Sequence, residues 1–399
     1  MKQRWWGLAT VLIAAVASAA ASASPGRSKE PWIPQNPAEV ILTLPARSAS
    51  ERVVPRNVAE ALQQAETWTA TGKLGPNSRY LGRAEALLEQ WAKRPDASAA
   101  LLTLQARLQQ QRHAFAEAES VLERALRLEP RMADARLLRA STRLTRGDFA
   151  AARADCAVLI GQGETFAGSA CLAQSLAAMG SIAAAGALLG RALEPCARPS
   201  AMAAAATTVG VAADAALCAW ALGIRADLAQ RRGDSAAAER DLRAALQRDA
   251  RSELSRIQLA QLLMARGAAD QAATWLDVPY PSVAMQVQRL ALLDPNQAGH
   301  AALRAQVEAQ LALGRARGEC LHLREETQLA LDIDHDMPRA LALARANFAV
   351  QRELVDVRML ARAATGARDA AALRELADWT RGWGYADVVV QRMLASGGA

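Results

Sequence analysis

Histidine, lysine and aromatic rings are scarce in this 399-residue sequence, which holds 4 His, 4% aromatic residues, and lysine only at Lys2, Lys29, Lys73 and Lys93. With histidines only at 113, 300, 322 and 335, a catalytic triad would need a long-range convergence that no motif supports. There is no Gly-x-Ser-x-Gly, no glycine-rich loop leading into Lys-Ser or Lys-Thr, and no His-Glu-x-x-His. The strained nucleophile turn, the phosphate cradle and the zinc-protease helix are therefore all missing. The expectation is a protein that is not an enzyme and takes no cofactor. Concentrated positive charge is missing too. The formal net charge is +7, but arginines alternate with acids, as in Glu117 to Arg127 and Glu239 to Arg248. That interleaving leaves no basic stripe with stacking rings for nucleic acid. From Arg79 onward an arginine or acid recurs every few positions, so no later run is apolar enough to span a bilayer.

What is present at the N-terminus is a gradient. Met1-Lys2-Gln3-Arg4 is followed by an apolar stretch from Leu8 to Val16 and then by Ala17-Ser18-Ala19-Ala20-Ala21-Ser22-Ala23-Ser24. This order matches a secretory signal over 1–24, with Ala-x-Ala combinations for cleavage and a mature chain starting near Ser22 or Ser24. The competing reading is an uncleaved anchor held by Trp5 and Trp6. No cysteine precedes Cys156, which excludes a lipidated N-terminus. The expected location is periplasmic or otherwise exported. Residues 25–54 form a proline-rich extended arm: Pro25 to Pro55 holds six of the 15 prolines, so no helix or central strand persists there. Within it Val40-Ile41-Leu42-Thr43-Leu44 is apolar enough to dock rather than float.

After Pro55 the composition becomes alanine, leucine, arginine and glutamine or glutamate, which favours helix. Aligning the chain on His113, Gly147, Gly180, Gly233 and Gly267 gives spacings of 34, 33, 53 and 34 residues. Seven positions before these stand Ala106, Ala140, Ala173, Ala226 and Ala260. Five after stand Ala118, Ala152, Ala185, Ala238 and Ala272, and nine after stand Leu122, Cys156, Leu189, Leu242 and Leu276. Small residues on both sides of a turn let two antiparallel helices approach closely, and the residue one turn on fills the gap to the next pair. Glycine ends the first helix in a conformation that other residues resist.

This register resembles the tetratricopeptide repeat, with Phe115 and Phe149 at its aromatic position and Pro130 at its proline. Ile182, Ser235 and Ala269 replace the aromatic elsewhere, and His113 replaces glycine. Fainter turns at Asn77–Ala84, His335–Ala340 and Gly366–Ala371 extend the array. The resemblance implies an all-α, right-handed α-solenoid of antiparallel helix pairs, about eight units in number. The expected division is an N-terminal array over 55–278, with an insertion near 197–217 that has room for a helix, and C-terminal repeats with a cap over 279–399.

Cys156, Cys171, Cys196 and Cys218 cluster in one third of the chain. In the repeat register Cys156 and Cys171 lie on neighbouring helices, and Cys196 and Cys218 flank the insertion. Export would permit two disulfides, while burial as small apolar residues accounts for them equally well. Cys320, His322, Glu325 and Glu326 suggest a metal site, but their spacing matches no recognised ligand set, and a charged helix face explains them. The expectation is no metal.

In such a stack the residue after the small alanine points into the concave groove. Those positions are Arg107, Ser141, Gln174, Asp227 and Gln261, with Gln110 and Gln230 one turn further on. The set is polar and amide-rich, suited to hydrogen bonds with an extended backbone, although an ordinary solvated face would look the same. The lysine and asparagine clamp with which some tetratricopeptide proteins hold a carboxylate is not reproduced. The expected function is a scaffold that binds a protein or peptide partner in the cell envelope through this face. The alternative is a structural or assembly component for cell-surface polymer or cell-wall machinery.

Overall fold

The computed structural model describes residues 54–72, 79–197, 208–296, 298–316 and 322–396. The signal, nearly all of the proline-rich arm and Cys320 lie outside these residues. Pro55 onward forms a single compact unit.

Nineteen α-helices follow one another among the described residues, and nearly all fall into antiparallel pairs. The first five pairs are α1 (Val58–Gly72) with α2 (Arg79–Ala92), α3 (Ala99–Gln111) with α4 (Phe115–Leu128), α5 (Ala133–Arg146) with α6 (Phe149–Gly161), α7 (Thr165–Ala178) with α8 (Ile182–Ala192), and α9 (Thr208–Arg231) with α10 (Ser235–Arg248). The next four are α11 (Glu253–Ala265) with α12 (Ala269–Leu276), α13 (Val283–Leu290) with α14 (Ala298–Ala316), α15 (Leu323–Asp332) with α16 (Met337–Val350), and α17 (Leu354–Gly366) with α18 (Ala370–Trp383). A last helix, α19 (Val388–Ser396), packs on α17. Nine pairs stand where about eight were expected, because α13 and α14 carry none of the alanine and glycine signals. First helices pack beside first helices from one pair to the next and so line the inner side of the α-solenoid.

Four hairpins are punctuated by a stop followed at once by a start. Gly147, Gly233, His335 and Arg368 have positive φ, and each is followed by an aspartate that caps the second helix. Asp148, for example, accepts from the Ala151 amide at 3.2 Å. The same aspartate sends its own amide back to the Arg143 carbonyl at 2.8 Å, satisfying an orphan carbonyl of the first helix.

The alanine register is the core. Ala106, Ala140, Ala173, Ala226 and Ala260 are all 0% exposed, as are Ala118, Ala152, Ala185, Ala238 and Ala272. The third set, Leu122, Cys156, Leu189, Leu242 and Leu276, is equally buried. Arginine and glutamate repeat with the same period. Arg112 meets Glu85 at 3.1 Å, Arg146 meets Glu119 at 2.5 Å, and Arg266 pairs with Glu239, each pair 27 residues apart. These pairs are half-exposed and worth little in stability, at most about 1 kcal/mol each. They align one repeat with the next.

Both cysteine pairs are disulfides. Cys156 of α6 joins Cys171 of α7 with 5.5 Å between Cα atoms, locking two pairs together. Cys196, in a short 3-10 turn after α8, joins Cys218 of α9 at 5.9 Å. The stretch read as an insertion contributes the first turns of α9, a continuous helix of 24 residues.

The C-terminal pairs return to the turns of the early ones. The Arg352 amide donates to the Thr145 carbonyl at 2.7 Å, and its guanidinium to the Arg146 carbonyl at 2.6 Å. Phe149 sits edge-on to Trp383, with ring centroids 5.0 Å apart. A Cβ on Gly180 would land on the Gly384 carbonyl oxygen, and one on Gly233 would touch Val388. Successive hairpin turns thus receive successive parts of the C-terminal set.

Candidate functional site

Closing the array on itself leaves a chamber of about 660 Å³ between the inner helices α7, α9 and α11 and the returning helices α15 and α17. Part of its lining is apolar, with Ile224, Leu228, Ile257 and Met264 on α9 and α11 and Leu354 and Met359 on α17. The rest is amide and charge from the same and neighbouring helices, with six glutamines among the lining residues: Gln174, Gln230, Gln258, Gln261, Gln288 and Gln328.

Most of the cations on this wall are neutralised by carboxylates. The Arg324 guanidinium donates to Asp356 at 2.8 and 2.7 Å and to Glu353 at 2.8 Å. Burial works against its charge, but Asp356 and Glu353 hold its pKa above the ordinary value. Arg358 donates to Asp387 at 2.9 and 3.3 Å, and Arg362 to Asp332 at 2.5 Å. Arg358 also reaches across the chamber to the side-chain and main-chain oxygens of Gln230, each at 3.1 Å. Arg231 differs: its guanidinium lies 4.3 Å from the centroid of the Tyr385 ring and has no carboxylate in ion-pair range among the described residues. Asp227, one turn earlier on α9, accepts from Gln258 at 3.1 Å. Burial pushes its carboxyl up to about 6, with Arg231 pulling against the shift.

The expected groove residues divide into two sets. Gln174, Asp227, Gln230 and Gln261 come together on the chamber wall. Arg107 is exposed on α3 outside it, and Gln110 donates to Ser141 at 3.3 Å on the neighbouring inner helices. Gln258 was legible by the same logic, since it stands three residues before Gln261 on one face of α11. Arg324 and Arg358 were not, because the return of α15 and α17 brings them to the site. The candidate metal residues do not converge: His322 Nδ1 lies 3.7 Å from Glu325, while Glu326 turns to Arg315 at 2.9 Å.

The hairpins of α7, α9 and α11 on this wall share one design, a left-handed glycine with a buried alanine seven residues before it and another five after it. The fold is tetratricopeptide-like. No protein-family model and no curated protein matches the chain. Solved structures do show likeness. A tetratricopeptide repeat protein from Parabacteroides merdae aligns with 77% of this chain and 98% of its own at 16% identity and a TM-score of 0.39. The human IFIT1 dimer with PPP-AAAA aligns with 84% of this chain and 70% of its own at 14% identity and a TM-score of 0.41. Yeast Tom70 aligns with 85% and 88% at 12% identity and a TM-score of 0.29. These are likenesses of helical architecture and say nothing of what the present tetratricopeptide-like chain binds.

Proposed function

We propose that this chain is a non-enzymatic interaction scaffold of the bacterial envelope that holds a protein or peptide partner on its concave side. The observation that carries the reading is the amide-rich inner face, where Gln174, Asp227, Gln230 and Gln261 of consecutive hairpins meet Gln258 and Gln288 around one chamber. Amides donate and accept at once, so they match the alternating donors and acceptors of a peptide backbone without demanding a particular side chain. Arg107, Gln110 and Ser141 continue the polar row beyond the chamber. Two disulfides support an oxidising compartment, and no described helix is long and apolar enough to cross a membrane.

Site-specific photocrosslinking in intact cells tests this. A crosslinker at Gln174 or Gln261 is expected to trap a protein partner, and one at Arg240 on the outer face of α10 is not. Combined Arg107→Ala, Gln174→Ala and Gln261→Ala substitution is expected to weaken capture of the trapped partner. Adducts from Arg240 alone, or capture unchanged by the triple substitution, would rule out concave binding.

A further inference from the structure

Arg231 occupies an unusual position for a charge that cannot be shed. It is 8% exposed, its Nη1 is buried without an acceptor, and beneath it lies the Tyr385 ring. A guanidinium stays protonated under all ordinary conditions, and leaving one buried without a counter-charge is costly. On the same chamber wall Gln288 is 1% exposed and has neither its Oε1 nor its Nε2 satisfied. A donor with positive charge and a complete spare amide therefore face one space. The space is also partly greasy: Ile224 and Leu228 precede Arg231 at helical spacing on α9, and Ile257 and Met264 face them from α11.

We propose that the chamber is a small-molecule site for an amphiphilic carboxylate, with the anionic head on Arg231 and the acyl tail along Ile224, Leu228, Ile257 and Met264. A chamber of about 660 Å³ is the size of small-molecule sites in general, and the returning helices limit the length of what fits. An anion is favoured over a cation because Arg324, Arg358 and Arg362 are already matched with carboxylates, whereas Arg231 is not. Arg352 adds a second cation without a carboxylate among the described residues, since it donates to the Arg146 carbonyl and lies over the Phe348 ring; burial and the Arg146 charge both lower its pKa. The inference goes beyond the scaffold reading, which concerns a macromolecular partner, and neither depends on the other.

The nearest acid is Asp227. It faces Arg231 on its own helix, Gln258 from α11, Glu353 and Arg358 from α17 and its cap, and Asp387 before α19. Between pH 7.5 and 5.5 Asp227 takes up a proton and stops repelling a carboxylate held at Arg231, so anion binding should tighten as pH falls.

Titration calorimetry of the oxidised mature chain with decanoate and its neutral amide, decanamide, tests the proposal. One equivalent of decanoate is expected to bind, about tenfold or more tighter than decanamide, because a charge-assisted hydrogen bond is worth that much. Arg231→Gln should lose the difference, and Arg240→Gln should keep it. Asp227→Asn should bind at pH 7.5 as the parent does at pH 5.5. If Arg231→Gln fails to fold by its thermal melt, Gln288→Leu and the acid-to-amide comparison on the parent chain decide. No saturable decanoate binding, equal affinity for decanamide, or a folded Arg231→Gln that binds unchanged would each overturn the proposal. The photocrosslinking experiment reads the scaffold function separately.

Discussion

Gly180 and Gly267 have nearly the same backbone, with φ of 78° and 76°, and differ in what surrounds them. Nothing lies within 4 Å of a Cβ built on Gly267, whereas one on Gly180 meets the Gly384 carbonyl. Gly267→Ala is expected to cost only the left-handed penalty, about 1–2 kcal/mol. Gly180→Ala carries the same penalty and must also push a backbone away, so chemical denaturation should show a clearly larger loss; equal losses would mean that the Gly180–Gly384 approach is not a stabilising contact. Asp227 gives a second test at this scale. Its carboxyl titrates near 6 when folded and near the ordinary aspartate value when unfolded, so the folded state holds the extra proton between those pH values. Its burial therefore costs stability that builds up as pH rises from about 4 to about 6, is complete above that, and is absent below about 4. Asp227→Asn is expected to stabilise by about 1–3 kcal/mol at pH 7.5 and to be neutral at pH 4. A gain that does not change with pH would assign the effect to packing. The residue-level reading from sequence was good for alanines and poor for charges, because a small buried residue is fixed by its own hairpin and a buried charge by whatever comes to meet it.

Helix pairs are held by alanine contacts along their length and by two covalent links. The Cys156–Cys171 disulfide closes a loop of 15 residues, and Cys196–Cys218 one of 22. Chain-entropy arguments give about 3 kcal/mol for a loop of this size. Double substitution Cys156→Ala/Cys171→Ala is expected to lower the unfolding free energy by about 2–4 kcal/mol, as read from denaturant midpoints at unchanged slope. Mass spectrometry of the non-reduced protein should recover two bridged peptide pairs, and a free thiol at any of the four positions would contradict the pairing. Hairpin boundaries were visible in sequence because a turn glycine stands between two register alanines, as at Gly147 and Gly233. The α13 and α14 pair was not, since neither a glycine stop nor an alanine register marks it. It is bound into the array by packing of α13 on α11, α12 and α15 instead.

At the scale of the whole packed unit, the decisive contacts join residues more than a hundred positions apart. Arg358 is the hub: it holds Asp387, which is 0% exposed at the side chain, and Gln230 of an early hairpin. Arg358→Ala leaves that carboxylate buried and unpaired, a change that costs about 3–5 kcal/mol in comparable sites. Hydrogen exchange should then speed up first in α19 and in the Gly233 turn, with α3 and α4 unaffected. Uniform acceleration along the chain would show that the return contacts are not a separate unit of stability.

The sequence by itself determined the hairpins, their register and the buried alanine spine, since each of these depends on residues within about one repeat of one another. It brought Gln174, Asp227, Gln230 and Gln261 forward as inner-face positions for the same reason. What only the tertiary structure decided is that the inner face is closed by the chain's own C-terminal helices, that Gly180 must be glycine for a contact as well as a turn, and that Arg231 faces a chamber. Those facts arise from the accumulated rotation of successive hairpins, a small angle per repeat that no local pattern records and that sums to a return contact.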